Sequence, residues 1–436
     1  MLKFISSIFP GDGSAVMRKS IAQSLIIRSV GLGLIFLSQI LLARLMGVKG
    51  YGEYSVIITA LNFVVVISLF GLDTSVLRFL PSYLQKKDYA SAHGFLRFSY
   101  RLISVLAVIC ATGVFVFLLS NSKKYNIGFS EAVFWSVLVV PFLVFVNQAS
   151  SVLRALQKVK ASLLPAYFLL PVGMGLGWGY YYFSHQKLPV DAAMMINLMV
   201  TIIVFIYIYR KVTSGVNKMI PVADPKPERK LWMMVSLTVL LTSLLNLLIK
   251  QSDILFVSYF LGNTAAGKYS AAAKMATLVA LGLSIIDYVY VPKIAALWES
   301  HKLIGLQKLI REASKQILVI TIPISIVLIV GGKWLLGLFG HAFEASYVPL
   351  VILVCGQMIN SLTGMVGGVL MMTGHQRVFF LFYFLSFVIQ ASLNFILIPS
   401  LGIIGAAIAT ASAIIILNLM GYFFIRKKIH ISASVF

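Results

Sequence analysis

The chain has 436 residues, of which 60% are hydrophobic and 11% charged, and its mean hydropathy is +0.96. A water-soluble domain of this composition would expose large apolar patches, so a soluble protein is excluded. The net charge of +23 alone would suggest nucleic acid, but the lysines and arginines lie at the ends of long apolar runs, where they would face anionic headgroups. The composition therefore predicts an integral membrane protein that contacts membrane lipids and binds no nucleic acid.

Twelve apolar runs are long enough to cross a bilayer. A helix needs about 20 apolar residues to span the hydrocarbon, where only helices or closed barrels satisfy their backbone groups. These runs have helical length, which predicts an all-α fold. The predicted spans are 21–43, 54–80, 98–119, 132–153, 163–183 and 192–209, followed by 231–256, 269–291, 317–339, 347–372, 379–398 and 402–425.

The distribution of basic residues predicts the orientation. With the N-terminus inside, 26 of the 36 lysines and arginines lie in the N-terminal arm, the cytoplasmic loops and the C-terminus, and 7 lie outside. Lys and Arg accumulate on the cytoplasmic side of membrane proteins. Both termini are therefore predicted to be cytoplasmic, and the short apolar arm at residues 2–9 to lie at the membrane interface. The other 3 basic residues, Arg28, Lys250 and Lys274, fall within predicted spans.

An internal repeat divides the chain into two halves. The segment from Leu45 to Ser55, with Gly-Glu-Tyr-Ser at its end, is echoed 215 residues later by Phe260 to Ser270, with Gly-Lys-Tyr-Ser. Each half then starts and ends inside after six spans, which predicts parallel repeats about an axis along the membrane normal. The expected domains are a six-helix half at 1–209, a proline-containing cytoplasmic linker at 210–230 and a second six-helix half at 231–436.

Polar residues within the spans are the candidate functional residues, since a charge at the bilayer centre costs at least a few kcal/mol. At helical spacing they form polar stripes in both halves, which predicts a wet cavity between two six-helix bundles. The candidates for substrate binding are Arg28, Asn246, Lys250, Lys274, Gln357 and Asn360. The acidic candidates are Asp73, Asp253 and Asp287.

Two structural alternatives remain open for these residues. Lys250 and Asp253, three residues apart, can neutralise one another, and the small residues can serve helix packing. The repeat bears on the choice: at an offset of 215, Arg28 corresponds to Ser243, and Lys274 corresponds to Thr59. The buried charges are thus not part of the repeated scaffold, which favours a role in binding substrate or ions.

The sequence provides no support for an enzyme. It has no P-loop and no HExxH pair, and every predicted outer loop is short. The two cysteines, Cys110 and Cys355, lie in apolar runs without a second pair nearby, which indicates packing rather than a disulfide or a metal site. No cofactor and no bound metal are expected.

Several turn motifs resemble a known family. Ala43 to Tyr54, the second-half echo at Gly267 to Tyr269, and the late segments Asn394 to Pro399 and Gly402 to Ala407 are similar to the polysaccharide-biosynthesis flippases of O-antigen type. These belong to the multidrug, oligosaccharidyl-lipid and polysaccharide exporter superfamily. The resemblance covers the whole chain but says nothing of the substrate. It implies the fold of the multidrug exporters (MATE-like), with two six-helix bundles around a V-shaped central cavity.

The resemblance also implies a function. Family members flip an oligosaccharide linked through pyrophosphate to a polyprenyl lipid, from the cytoplasmic to the outer leaflet of the inner membrane, by alternating access. The basic candidates would attract the phosphates, and polysaccharide polymerases or glycosyltransferases would be partners. Related drug exporters use an acidic residue for Na⁺ or H⁺ coupling, which Asp73, Asp253 or Asp287 could serve. The alternative is an ion-coupled drug or cation antiporter, or a peptidoglycan-precursor flippase of the same superfamily.

Overall fold

The computed structural model describes residues 15–120, 127–226, 228–429 and 431, and the predicted interfacial arm at residues 2–9 lies outside this part of the chain. The described residues form helices joined by short turns, without a strand. The first helical stretch, Ala15–Leu69, bends at Gly47, and we name its two parts α1 (15–46) and α2 (48–69). The helices that follow are α3 Leu72–Gln85, α4 Tyr89–Ser120, α5 Ile127–Ala155, α6 Val159–Leu164, α7 Leu170–Phe183, α8 Val190–Met219, α9 Arg229–Leu261, α10 Asn263–Ala276, α11 Leu281–Glu299, α12 Leu303–Val330, α13 Gly332–Gly337, α14 Tyr347–Leu362, α15 Val366–Met372, α16 Gln376–Leu401 and α17 Ile403–Phe424.

The glycines of the repeat bend the chain in the same way in both copies. Gly47, between α1 and α2, has φ 68° and ψ 179°, and Gly262, between α9 and α10, has φ 80° and ψ 175°. Only glycine adopts this backbone region readily. The sequence repeat is therefore also a repeat of the backbone conformation.

Four predicted spans are interrupted in the structure: the ninth at Gly331, between α12 and α13, the tenth around Gly364, between α14 and α15, and the second and eighth as follows. The second, predicted as 54–80, breaks at Phe70 and Gly71, both with positive φ, and continues as the amphipathic helix α3. The eighth, predicted as 269–291, breaks between α10 and α11, where i to i−3 hydrogen bonds from Leu278 to Leu281 replace the helical pattern. None of the four breaks contains a proline. Glycines stand at three of them (Gly71, Gly331 and Gly364), whereas the positive φ of Phe70 has no sequence signal.

The number of membrane crossings in the structure agrees with the twelve spans predicted from the sequence. Ten stretches of the described residues are long and apolar enough to cross a membrane, but one of them, Ile27–Gln85, is 59 residues long and bends at Gly47. That stretch is too long for one crossing at 1.5 Å per residue. Dividing it at the bend, and counting α10 with α11 as a crossing, gives twelve. The prediction of an all-α, multi-pass membrane protein is confirmed.

The chain forms two compact units, and their limits differ in two places from the predicted halves. Unit 1 comprises residues 1–46 and 60–244, and unit 2 comprises residues 47–59 and 245–436. Residues 47–59, which include the start of α2, thus belong to unit 2, although the residues directly before and after them belong to unit 1. The start of α9, predicted to open the second half, packs in unit 1, and α8 extends as a helix to Met219 into the predicted linker.

The core of unit 1 shows how the start of α9 is held. The indole ring of Trp232 is fully buried and packs edge-on against Phe95 and at a tilt against Phe98, both on α4. Its Nε1 donates a 2.8 Å hydrogen bond to the hydroxyl of Tyr83 on α3, which donates to Glu228 at 2.9 Å. The segment that precedes α9 is therefore fixed to α3 and α4.

Candidate functional site

A buried carboxylate is the centre of a hydrogen-bond network in unit 2. Asp253, on α9, is 1% exposed, and its Oδ2 accepts hydrogen bonds from Tyr269 on α10 at 2.6 Å and from Thr410 on α17 at 3.0 Å. Its Oδ1 accepts from the backbone amide of Ile254 at 2.9 Å. Three donors on one carboxylate suit the ionised form, since each of them stabilises negative charge.

Helix α16 extends this network with amide side chains. Gln390 Nε2 donates to Thr410 Oγ1 and to the backbone carbonyl of Ile249, both at 3.0 Å. Gln390 Oε1, and both amide atoms of Asn394 one turn later, are buried without a hydrogen-bond partner among the described residues. Buried amides without partners are costly, so such positions are typical of ligand contacts. Neither residue is among the site residues predicted from the sequence, although their spacing of four places them on one helix face.

The structure separates Lys250 from Asp253. Lys250 is exposed and has no hydrogen bond or ion pair with any described residue, whereas Asp253 is enclosed by its own donors. Mutual neutralisation, the structural alternative for this pair, is therefore wrong: three residues along a helix place the two side chains in different surroundings. Asn246, one turn before Lys250, donates from Nδ2 to the hydroxyl of Tyr383 on α16 at 3.1 Å.

Lys274 lies against an aromatic ring. Its Nζ is 4.8 Å from the centroid of the Tyr51 ring and 3.1 Å from the Tyr51 hydroxyl. Tyr51 is fully buried, and it also contacts Phe339 and Phe343 edge-on. A cation over an aromatic face is stabilised by the ring quadrupole, which offsets part of the hydration that a lysine loses there.

Asp287 is the third candidate in unit 2. Its Oδ1 is buried without a hydrogen-bond partner among the described residues and lies 3.9 Å from where a Cβ would stand at Gly368 on α15. Its charge also acts on the Tyr383 hydroxyl, so α9, α11 and α16 contribute to one polar group of side chains. The two amides predicted on α14 bond to each other, Asn360 Nδ2 donating to Gln357 Oε1 at 3.1 Å.

The two remaining candidates lie in unit 1. The Arg28 guanidinium on α1 is 5.9 Å from the ring centroid of Tyr167, in a π-helical turn at Pro165–Leu169. Asp73 lies in the first turn of α3, where the helix dipole favours a carboxylate, and it interacts electrostatically with Arg154. These contacts favour a structural role for Asp73.

The side chains at these positions can bind ions and polar ligands. Within the described part of the chain, no three His, Cys, Asp or Glu side chains are close enough together to hold a metal ion. Unit 2 instead provides an exposed lysine, a lysine on an aromatic ring, and buried carboxylates and amides on α9, α11 and α16. Cations of this kind can attract phosphate, and the enclosed carboxylate can hold a proton or a small cation.

The chain matches the sequence profile of a known protein family, and the matched range includes most of these candidate residues. The sequence profile of a family described as polysaccharide biosynthesis protein matches residues 17–298. That range is more than half of the chain and contains Arg28, Lys250, Asp253, Lys274 and Asp287. No curated protein is similar enough in sequence to count as a match.

Solved structures share the fold at low sequence identity. An inward-facing multidrug resistance MATE family transporter of the MOP superfamily matches with a TM-score of 0.75 at 14% identity, over 93% of this chain and 98% of the transporter. The lipid II flippase MurJ, in an inward closed conformation, matches with a TM-score of 0.70 at 14% identity, over 93% of this chain and 88% of that protein. A MOP superfamily transporter from Pyrococcus furiosus matches with a TM-score of 0.66 at 15% identity, covering 94% and 96% of the two chains. These neighbours are transporters and flippases, not enzymes, and they establish the MATE-like fold.

Proposed function

Because this chain belongs to the polysaccharide biosynthesis protein family, we propose that it flips a lipid-linked oligosaccharide across the inner membrane. The substrate is a polyprenyl-pyrophosphate-linked oligosaccharide, moved from the cytoplasmic to the outer leaflet by alternating access for surface polysaccharide synthesis. Both termini lie in the cytoplasm, in keeping with the distribution of lysine and arginine. The glycosyltransferases that build this lipid and the polymerase that consumes it are the partners this role implies.

The observation that supports this proposal most strongly is the environment of the Lys250 ammonium group. It lies within a 33-residue apolar helix, is exposed, and has no ion pair with the described residues. An ammonium group exposed to hydrocarbon would cost a few kcal/mol, so its surroundings must be aqueous or anionic. A pyrophosphate is the anion that the proposed substrate would bring to it.

The other candidates receive complementary roles. Lys274 and Arg28, each lying on a tyrosine ring, add positive charge for phosphates or acidic sugars. Asn246, Gln357 and Asn360 carry amides that can exchange their present bonds for bonds with sugar hydroxyls.

Ion coupling is assigned to Asp253. Its carboxylate is buried, and the same region contains amide atoms of Gln390 and Asn394 that lack partners. A Na⁺ or H⁺ bound there would alter the bonds to Tyr269 on α10 and Thr410 on α17, and through them the packing of three helices. Asp287 is the second candidate for coupling because its Oδ1 has no hydrogen-bond partner in the described part of the chain. Asp73 is the third, although its contacts favour a structural role.

Complementation of defined flippase mutants tests the function. We expect the chain to restore surface polysaccharide and to remove the lipid-linked sugar that accumulates in one such strain. Lys250→Ala should abolish the rescue, Lys250→Arg should retain part of it, and Lys308→Ala, which removes an exposed lysine from the start of α12, should leave it unchanged. Full rescue by Lys250→Ala at wild-type expression would contradict the proposed role of Lys250 in binding the pyrophosphate of the substrate. Rescue of a peptidoglycan-precursor flippase mutant, or drug resistance without any rescue, would favour the alternative functions.

A further inference from the structure

A groove with a volume of about 400 Å³ lies within unit 1, among α4, α5 and α8. Helix α8 contributes one continuous stripe, from Phe205 to Asn217, which is about 18 Å long at the helical rise of 1.5 Å per residue. Helix α5 contributes Phe145 and Ala149. None of the candidate residues discussed above lines the groove, so it is separate from the proposed substrate-binding residues.

The lining of the groove is mostly apolar, and its polar side chains lie mainly at one end. At one end lie His93 and Arg97, from the start of α4, and Thr213 and Asn217, from the end of α8. At the other end, the Phe145 ring contacts two neighbouring rings. Its centroid is 5.6 Å from that of Tyr100 and 5.8 Å from that of Phe205. Among the described residues, no acidic side chain lines the groove. This distribution matches a molecule with an anionic head and an apolar tail.

Two side chains of α4 indicate which chemical groups the anionic head of the bound molecule carries. Arg97 is exposed and forms no ion pair with the described residues, so its guanidinium is available to a phosphate. Tyr100, which also lines the groove, has a buried hydroxyl without a hydrogen-bond partner among the described residues. A buried hydroxyl usually has a partner, so this one is a candidate donor to a ligand in the groove. The two residues are three apart on a helix, which is about 4.5 Å along its axis.

We propose that the groove binds an anionic glycerophospholipid of the bilayer, with its phosphate on Arg97, an ester carbonyl accepting a hydrogen bond from Tyr100, and one acyl chain along α8. The order of groups fits, because in such a lipid the ester carbonyls lie between the phosphate and the acyl chains. A polyprenyl phosphate has no carbonyl and would leave the Tyr100 hydroxyl without a partner. The proposed topology places this end of α4 at the cytoplasmic leaflet, where anionic lipids attract basic residues.

Photocrosslinking on the full-length protein tests the proposal. The protein is placed in nanodiscs of phosphatidylcholine that contain a phosphatidylglycerol with a diazirine in one acyl chain, and the adducts are mapped by mass spectrometry. We expect adducts on the lining residues of α5 and α8, such as Ala149 and Val212. Arg97→Gln should lower this labelling roughly tenfold, and Tyr100→Phe roughly threefold, because each removes one polar contact with the headgroup region.

Arg101→Gln is the matched control, since Arg101 is exposed one turn further along α4 and does not line the groove. It should leave the labelling unchanged. Ala149→Phe, which fills the groove, should abolish it. Labelling that is undiminished in Arg97→Gln, or equal with a diazirine phosphatidylcholine, would overturn the proposal. Displacement of the label by a polyprenyl phosphate but not by unlabelled phosphatidylglycerol would also overturn it, and would assign the groove to the lipid tail of the transported substrate. None of these outcomes depends on the complementation test of the flippase function.

Discussion

The hydroxyl of Ser270 donates a 3.0 Å hydrogen bond to the hydroxyl of Ser55, and the two residues occupy the same position of a motif repeated 215 residues apart. The neighbouring glycines of the motif meet as well. A Cβ at Gly52 would overlap the backbone carbonyl of Asn263, and a Cβ at Gly267 would overlap that of Val48. The two copies of the motif therefore pack directly against each other within unit 2, where their glycines allow the backbones of α2 and α10 to approach closely.

Alanine at either of these glycines should destabilise the protein. Gly267→Ala forces a methyl group into backbone atoms of α2 that cannot move aside, which should cost about 1–3 kcal/mol. The measurement is the apparent unfolding temperature of the purified protein in detergent. Gly113→Ala is the control, because a Cβ at Gly113, on α4, would meet nothing within 4 Å and should be neutral or slightly stabilising. Equal unfolding temperatures for the two variants would mean that the close crossing of α2 and α10 contributes little.

Removing the Tyr269 hydroxyl should weaken unit 2. In Tyr269→Phe the buried Asp253 carboxylate loses its shortest hydrogen bond, which should cost about 1–3 kcal/mol. Thermal unfolding gives the size of the loss. Tyr259→Phe makes the same chemical change at a side chain that is 81% exposed, and it should leave the unfolding temperature unaltered. If Tyr269→Phe unfolds like the wild type, the carboxylate does not depend on this donor.

A similar change in unit 1 tests the attachment of α9. Tyr83→Phe removes both the acceptor of the Trp232 Nε1 hydrogen and the donor to Glu228. The indole N–H is then buried without a partner, at a cost of about 1–3 kcal/mol. Limited proteolysis of the segment before α9 should also become faster, because Glu228 is released. Tyr182→Phe, at a side chain that is 51% exposed, provides the comparison, and equal cleavage rates in the two variants would contradict the proposed attachment.

The start of α4 should respond to pH through Asp88. Its Oδ1 accepts a 3.0 Å hydrogen bond from the backbone amide of Ser91, as expected of a residue that caps a helix. The Ser91 side chain and the hydrogen bond from the Ser91 amide lower the pKa of Asp88 below its ordinary value of 3.8. The ionised carboxylate therefore stabilises the folded protein above that value, and this contribution is lost as the pH falls through the lowered pKa.

Asp88→Ala should accordingly lower the unfolding temperature at neutral pH, and the difference from the wild type should vanish in acid. Hydrogen exchange of the Ser91 amide follows the same cap locally and should be faster in the variant only at neutral pH. Asp224→Ala, at an exposed position in the linker, is the control for a general effect of charge. A difference between Asp88→Ala and the wild type that is the same at every pH would exclude the carboxylate as its origin.

Much of the fold could be predicted from the sequence because the bilayer imposes strong constraints. Runs of about 20 apolar residues have few alternatives to a membrane helix. The repeat predicted that Gly47 and Gly262 occupy equivalent positions, and the structure gives both the same bend. The interruption before Leu281 could not be predicted, since residues 277–280 contain no glycine or proline, and the break at Phe70 is marked in the sequence only by Gly71.

The candidate site was predicted less completely. Helical spacing placed Asp253 and Lys250 on one stripe, but spacing does not say which neighbouring helix supplies the hydrogen-bond donors. Those donors, Tyr269 and Thr410, come from helices 16 and 157 residues away along the chain. Lys274 was identified as a buried cation, yet its contact with Tyr51 depends on the crossing of α2 with α10.

The assignment of residues 47–59 to unit 2 has a consequence for biosynthesis. Ser55 is synthesised 215 residues before Ser270, its hydrogen-bond partner. At translation rates of about 5–20 residues per second, this interval lasts on the order of 10 to 40 s. During that time the small and aromatic side chains at the start of α2 are in the membrane without α10 to pack against. When the ribosome has completed the first six crossings, α10 and the rest of unit 2 have therefore not yet been synthesised. Until α10 emerges, the start of α2 must be surrounded by lipid or held by the insertion machinery.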